Sequence, residues 1–197
     1  MKIPKEITEH KIIRKKSKFI AHVFPLESAS ELGPILTKIK EKYLKAEHIP
    51  YAYKVTEYED ERITSHERYS DGGEPTKTAG YPMLRLIHNN DLTNVLLVTV
   101  RIYGGVKLGT ARLMKAFVDS AGLALEKNTL IEKVICEKVE VKTNIQKYQT
   151  IEILLEKNKI KFTRSFDFDI VKIVALIPLN KKALKEKIKR LSTTPTS

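Results

Sequence analysis

Residues 95–117 read VLLVTVRIYGGVKLGTARLMKAF, and the character of the chain changes midway through them. Val95 to Val100 are apolar or β-branched with no exposed alternation, which predicts a strand covered on both faces. Beyond Gly104, Gly105 and Gly109 the spacing becomes helical. Leu113, Met114, Phe117, Val118, Ala121 and Leu125 fall on one stripe, and Thr110 stands where it can cap the helix. A strand, a glycine turn and a helix N-terminus together present free N–H groups and the positive end of a dipole. Arg101 and Lys107 add charge, so the segment suits a phosphate or carboxylate. The spacing is neither GxGxxG nor GxxxxGK followed by Ser or Thr, and the plain alternative is a tight strand-to-helix connection that needs its glycines.

Working outward, the next informative stretch is SDGGEPTKTAGYP, Ser70 to Pro82. From Glu57 to Pro82 the chain shows no clear periodicity and is dense in charge, Gly, Ser, Thr and Pro, which predicts an irregular connection longer than usual. Asp71 and Glu74 flank Gly72 and Gly73, and Lys77 follows three residues later. Both signs of charge therefore ride on a flexible backbone, and a solvated loop is the bland reading.

Ser70 to Leu84 and Val98 to Phe117 resemble the two signature stretches of the IMPACT family. SKFIA at Ser17 to Ala21 and HIPYA at His48 to Ala52 support the resemblance, which covers about residues 8–127. It implies functional weight for the signature loop (Ser70, Asp71, Gly73, Glu74, Pro75, Thr78, Ala79 and Gly80) and for His48. The resemblance also implies a first domain similar in fold to the second domain of a small-subunit ribosomal protein and to GHMP kinases. Its implied second domain is ferredoxin-like, similar to the last domain of elongation factor G. Eukaryotic members regulate translation through a protein partner and an extra N-terminal domain, whereas bacterial members suggest RNA or ribosome association. Departures are equally specific: Gly72 stands at a position usually acidic, Ile102 and Tyr103 where the family reads Tyr-Phe, and Ala111 and Arg112 where it has a glycine pair. The loss of an acid and the gain of a cation favour anions over a metal.

Composition sets the bounds. At 197 residues with 42% apolar content, the chain can hold packed cores in one large or two small domains. Nothing approaches the run of about 20 apolar residues that a membrane helix needs, and MKIPKEITEH lacks a signal-peptide core, so a cytoplasmic protein without membrane contact is expected. Cys136 is the single cysteine, which excludes an internal disulfide and a thiolate metal cluster and leaves it the role of a small buried hydrophobe. The histidines lack metal-ligand spacing, and neither a metal nor another cofactor is expected.

Charge is uneven: the net +12 splits into +5 over residues 1–127 and +7 over residues 128–197. Leu184, Ile188 and Leu191 stripe a terminal helix capped by Asn180, whose other face carries Lys181, Lys182, Lys185 and Lys189. Such a face can attract RNA phosphates or simply keep the protein solvated.

The order of patterns predicts an α+β chain of two α/β sandwich domains, residues 1–127 and 128–197, parted near Asn128 and Thr129. In the first, a capping box at Ser28 and Glu31 opens a helix that tolerates Pro34 near its start, and the helices pack against one sheet face. The second reads β-α-β-β-α, and the expected fourth strand would fall at LSTTPTS, where it is short, absent or replaced by a loop. The functional expectation is a non-enzymatic regulator of translation that binds RNA, a ribosome or a translation-linked protein. Its anion site would comprise Arg101, Tyr103, Gly104, Gly105, Lys107, Gly109 and Thr110. The rival is an enzyme on a phosphorylated or carboxylated small molecule, with Asp71 or Glu74 as base and Lys107 or Arg101 stabilising charge.

Overall fold

The computed structural model describes residues 1–59 and 62–192, with only the backbone of Tyr58 and Glu59. LSTTPTS beyond Ser192 lies outside the described residues. The chain forms two compact units, Met1–Lys133 and Val134–Ser197. The first contains β1 (Lys2–Pro4), β2 (Thr8–Arg14), β3 (Ser17–Pro25), α1 (Leu32–Lys42), β4 (Tyr51–Glu59), β5 (Arg62–Ser70), α2 (Gly80–Asn89), β6 (Val95–Ile102), α3 (Thr110–Glu126) and β7 (Leu130–Glu132). The division falls after Lys133 and not at Asn128, because β7 turns back to pair with β1.

Five strands form an antiparallel sheet in the order β2-β3-β6-β4-β5, with the apolar β6 at its centre. Leu96, Val98 and Val100 face α1, together with Ile20, Tyr53 and Val55. Val95 and Leu97 face the opposite way, with Ala21, Val23 and Ala52, toward α2 and α3. Helices therefore cover both faces, where a single covered face was expected; a strand without alternation needs two apolar partners. The capping box is present, with the Ser28 amide donating to Glu31 at 3.0 Å, but it opens a 3-10 turn, Ala29–Glu31, that runs into α1.

The stretch after Glu57 is largely a hairpin and not an irregular loop. β4 and β5 pair from Tyr51↔Ser70 to Glu59↔Arg62, while β6 pairs with β4 only from Tyr51 to Lys54. Most of the hairpin thus projects beyond the sheet, and β5 is exposed along residues 62–68, so its sequence carries no buried-face alternation to read. Only residues 71–79 form the loop.

The second unit contains β8 (Cys136–Asn144), α4 (Ile145–Lys157), β9 (Phe162–Asp167), β10 (Ile170–Pro178) and α5 (Lys182–Ser192). Its antiparallel sheet runs β8-β10-β9, the split arrangement of a ferredoxin-like unit. Val139, Val141, Val171, Ile173 and Ile177 meet Tyr148, Ile151 and Leu155 of α4 and Leu184 and Ile188 of α5. Asn180 does not cap α5; it lies in the 3-10 turn Leu179–Lys181. Cys136 is half-buried and not part of this core.

Candidate anion-binding cleft

The two signature stretches meet at a cleft of about 450 Å³. Glu47, His48, Gly73, Glu74, Pro75, Arg101, Tyr103, Lys107, Leu108, Gly109, Thr110 and Leu113 line it. β6 delivers Arg101 and the turn after it delivers Tyr103, two residues on and therefore toward the same side. The Arg101 main chain is fixed by a bridge to His48, its amide donating to the His48 carbonyl at 3.0 Å.

Glu74 and Arg101 form a buried ion pair. The Arg101 Nη1 donates to both Glu74 carboxylate oxygens at 2.8 Å, and the two side chains are 9% and 1% exposed. The guanidinium also lies against two aromatic rings, 5.6 Å from the Phe19 centroid and 5.3 Å from that of Tyr103. Arg101 is thus held through its Nη1 by an internal acid, and Glu74 is not free to act as a base. The pair sets the cleft floor and cancels its own charge.

Asp71 does not reach the cleft. Its Oδ1 accepts from the amides of Ala79 (3.1 Å) and Gly80 (2.9 Å), and its Oδ2 from that of Lys77 (2.8 Å). A carboxylate at the start of α2 satisfies orphan amides and suits the positive dipole end. Ser70 accepts from Gly72 at 3.2 Å, and the Thr78 hydroxyl donates to the Pro75 carbonyl at 2.6 Å. Ser70, Asp71, Thr78, Ala79 and Gly80 therefore shape the loop, while Gly73, Glu74 and Pro75 face the cleft. Gly73 packs so closely on His48 that a Cβ there would stand 2.6 Å from the imidazole Nδ1.

Of the glycine turn, the Gly104 amide is engaged, donating to Ser17 Oγ at 3.1 Å. Gly109, with φ of 79°, occupies the N-cap of α3, so Thr110 is the first helical residue and not the cap. No side chain caps this helix, and its opening amides remain available beside the exposed Lys107. Met114, placed on the stripe by its spacing, is 40% exposed.

These are the positions that carry the family signature, and residues 15–125 match the Impact N-terminal domain. The chain belongs to the IMPACT family. The family member YvyE of Bacillus subtilis is 33% identical over 66% of this chain and 57% of its own length. An IMPACT family member of Haemophilus influenzae is 34% identical over 70% of this chain and 63% of its own. A crystal structure of a hypothetical protein superposes at a TM-score of 0.64 and 25% identity, covering 97% of this chain and 92% of that one. The matches thus span about six-tenths of the length of the curated relatives.

The geometry gives the IMPACT motifs physical roles that spacing did not reveal. In SKFIA, Ser17 holds the glycine turn through Gly104, and Phe19 supports Arg101 while packing edge-on against Phe117 at 5.1 Å. Gly72 takes a φ of 55°, and a Cβ there would lie 2.4 Å from the Ile49 carbonyl carbon, so any residue with a side chain would need another backbone path. Among the described residues no three His, Cys, Asp or Glu side chains gather to hold a metal, and no helix is long and apolar enough to cross a membrane.

The expected cationic face of the second unit is partly engaged. Lys185 donates to both Glu137 oxygens at 2.6 and 2.7 Å, and Lys181 donates to the Asn158 carbonyl at 2.9 Å. Those two lysines tie α5 and the 3-10 turn before it to their own unit; Lys182 and Lys189 are exposed.

Proposed function

We propose that this IMPACT family protein is a non-enzymatic, cytoplasmic binding protein of translation control, whose cleft takes an anionic group of RNA or of a ribosome. One observation carries the reading: Lys107 and the uncapped N-terminus of α3 border a cleft whose buried acid, Glu74, is already neutralised by Arg101. A phosphate entering there meets amide donors, a dipole end and an ammonium group. Glu47, 4.0 Å from His48 Nε2, is the other acid in the lining. The link to translation rests on the family resemblance, and the excess of basic residues favours the same class of partner.

The geometry weakens the enzymatic alternative, since Asp71 is committed to backbone amides and Glu74 to Arg101. The test is filter binding of ribosomes and RNA at about 50 and 200 mM salt. Binding at the lower concentration that falls at the higher one, and falls further in Lys107→Glu, is expected. No binding at low salt overturns the proposal.

A further inference from the structure

We infer that the anion held at this cleft is the phosphate of a single-stranded RNA nucleotide whose base stacks on Tyr103. The inference rests on the anion reading above and adds what the anion belongs to. Tyr103 is 37% exposed, and the Arg101 guanidinium stands 5.3 Å from its ring centroid. That guanidinium is itself fixed by two bonds to Glu74 and backed by Phe19. The Arg101 cation therefore lies against two rings, the buried Phe19 and the part-exposed Tyr103. Such a ring is already ordered before a ligand arrives, so little rotamer freedom is lost when a flat group lands on it. Every base has an aromatic face, whereas a carboxylate or a free phosphate has no ring to stack.

The surroundings fit the rest of a nucleotide. Tyr103 and Lys107 line the same cleft as Gly109 and Thr110 at the start of α3, so an aromatic face and a phosphate cradle share one space. Its volume of about 450 Å³ lies within the range of small-ligand sites. Five buried side-chain polar atoms lack a partner among the described residues, and two of them, Arg101 Nε and His48 Nδ1, belong to residues of this wall. Buried polar atoms are ordinarily paired, so the Arg101 Nε in the cleft wall is a donor still open to a polar occupant. The platform is a single tyrosine, which predicts weak dependence on base identity and a preference for unpaired strands.

Calorimetric titration of the full chain at low salt tests this with three probes: a nucleoside 5′-monophosphate, ribose 5-phosphate and inorganic phosphate. The nucleotide should bind at least about tenfold more tightly than ribose 5-phosphate. Tyr103→Ala should weaken nucleotide binding far more than ribose 5-phosphate binding and so abolish that advantage, and Tyr103→Phe should keep it. Equal affinity for the nucleotide and ribose 5-phosphate overturns the stacking inference but leaves the anion reading standing. Failure of all three probes to bind overturns both.

Discussion

Glu74 and Arg101 show how much a single pair can decide. Removing one partner of a buried ion pair leaves the other charge without compensation, and Glu74→Ala is expected to destabilise the first unit by about 3–5 kcal/mol. Urea unfolding checks this, and a loss below about 1 kcal/mol would mean that water reaches Arg101 in the folded protein. A second residue makes a pH-dependent contribution. His22, 3% exposed beneath α1, stands 3.5 Å from Glu9, which also pairs with Lys42 at 2.9 Å and accepts from Tyr43 at 3.3 Å. Burial lowers its pKa to about 4, against the pull of Glu9 and with a further push from Lys42. A histidine kept neutral in the folded state contributes fully above about pH 6.5, and the contribution is lost as pH falls toward 4, because the unfolded chain takes up the proton first. Wild type should therefore lose stability across that window more steeply than His22→Leu, measured by urea unfolding at several pH values; parallel curves would contradict it. The sequence marked Glu74 and Arg101 as important but could not pair them, since 27 residues separate them and both also suited a ligand. His22 gave no signal, because its environment is assembled from β2, β3 and α1.

At the scale of elements, the glycine turn and the signature loop keep their shape by backbone contacts. A Cβ on Gly104 would stand 2.1 Å from the Lys16 carbonyl carbon, whereas one on Gly109 meets nothing within 4 Å. Gly104→Ala should therefore disrupt the turn, and Gly109→Ala should cost only the strain of holding φ 79° with ψ 155°, a conformation nearly reserved for glycine, on the order of 1–3 kcal/mol. Thermal melts of the two variants give the comparison, and equal losses would refute it. Asp71→Ala strands three amides at the start of α2, for an expected loss of about 1–3 kcal/mol in the same assay. β6 and α3 were legible because their patterns match their surroundings, apolar throughout for one and striped for the other. The outward hairpin was not, since β5 is held by pairing with β4 and buries almost nothing of its own. The role of Asp71 was equally hidden, because main-chain amides leave no residue type to recognise.

For the whole molecule, the two-unit α+β organisation could be read from the order of patterns, while the division after Lys133 depended on a three-residue strand too short to show periodicity. The second unit has its own core of β8, β10, α4 and α5 side chains. A fragment of residues 134–197 is accordingly expected to unfold cooperatively by circular dichroism, though with the marginal stability of a chain that short. A non-cooperative melt would show that this core is insufficient alone. The pairing of β1 with β7 has another consequence. Lys2 sits opposite Glu132, and the Lys133 amide donates to the Met1 carbonyl at 2.9 Å, so the first unit leaves its fold beside the point where it entered. A module whose entrance and exit adjoin can be joined to unrelated neighbours, or inserted within them, without stretching its sheet, which gives evolution an interchangeable part.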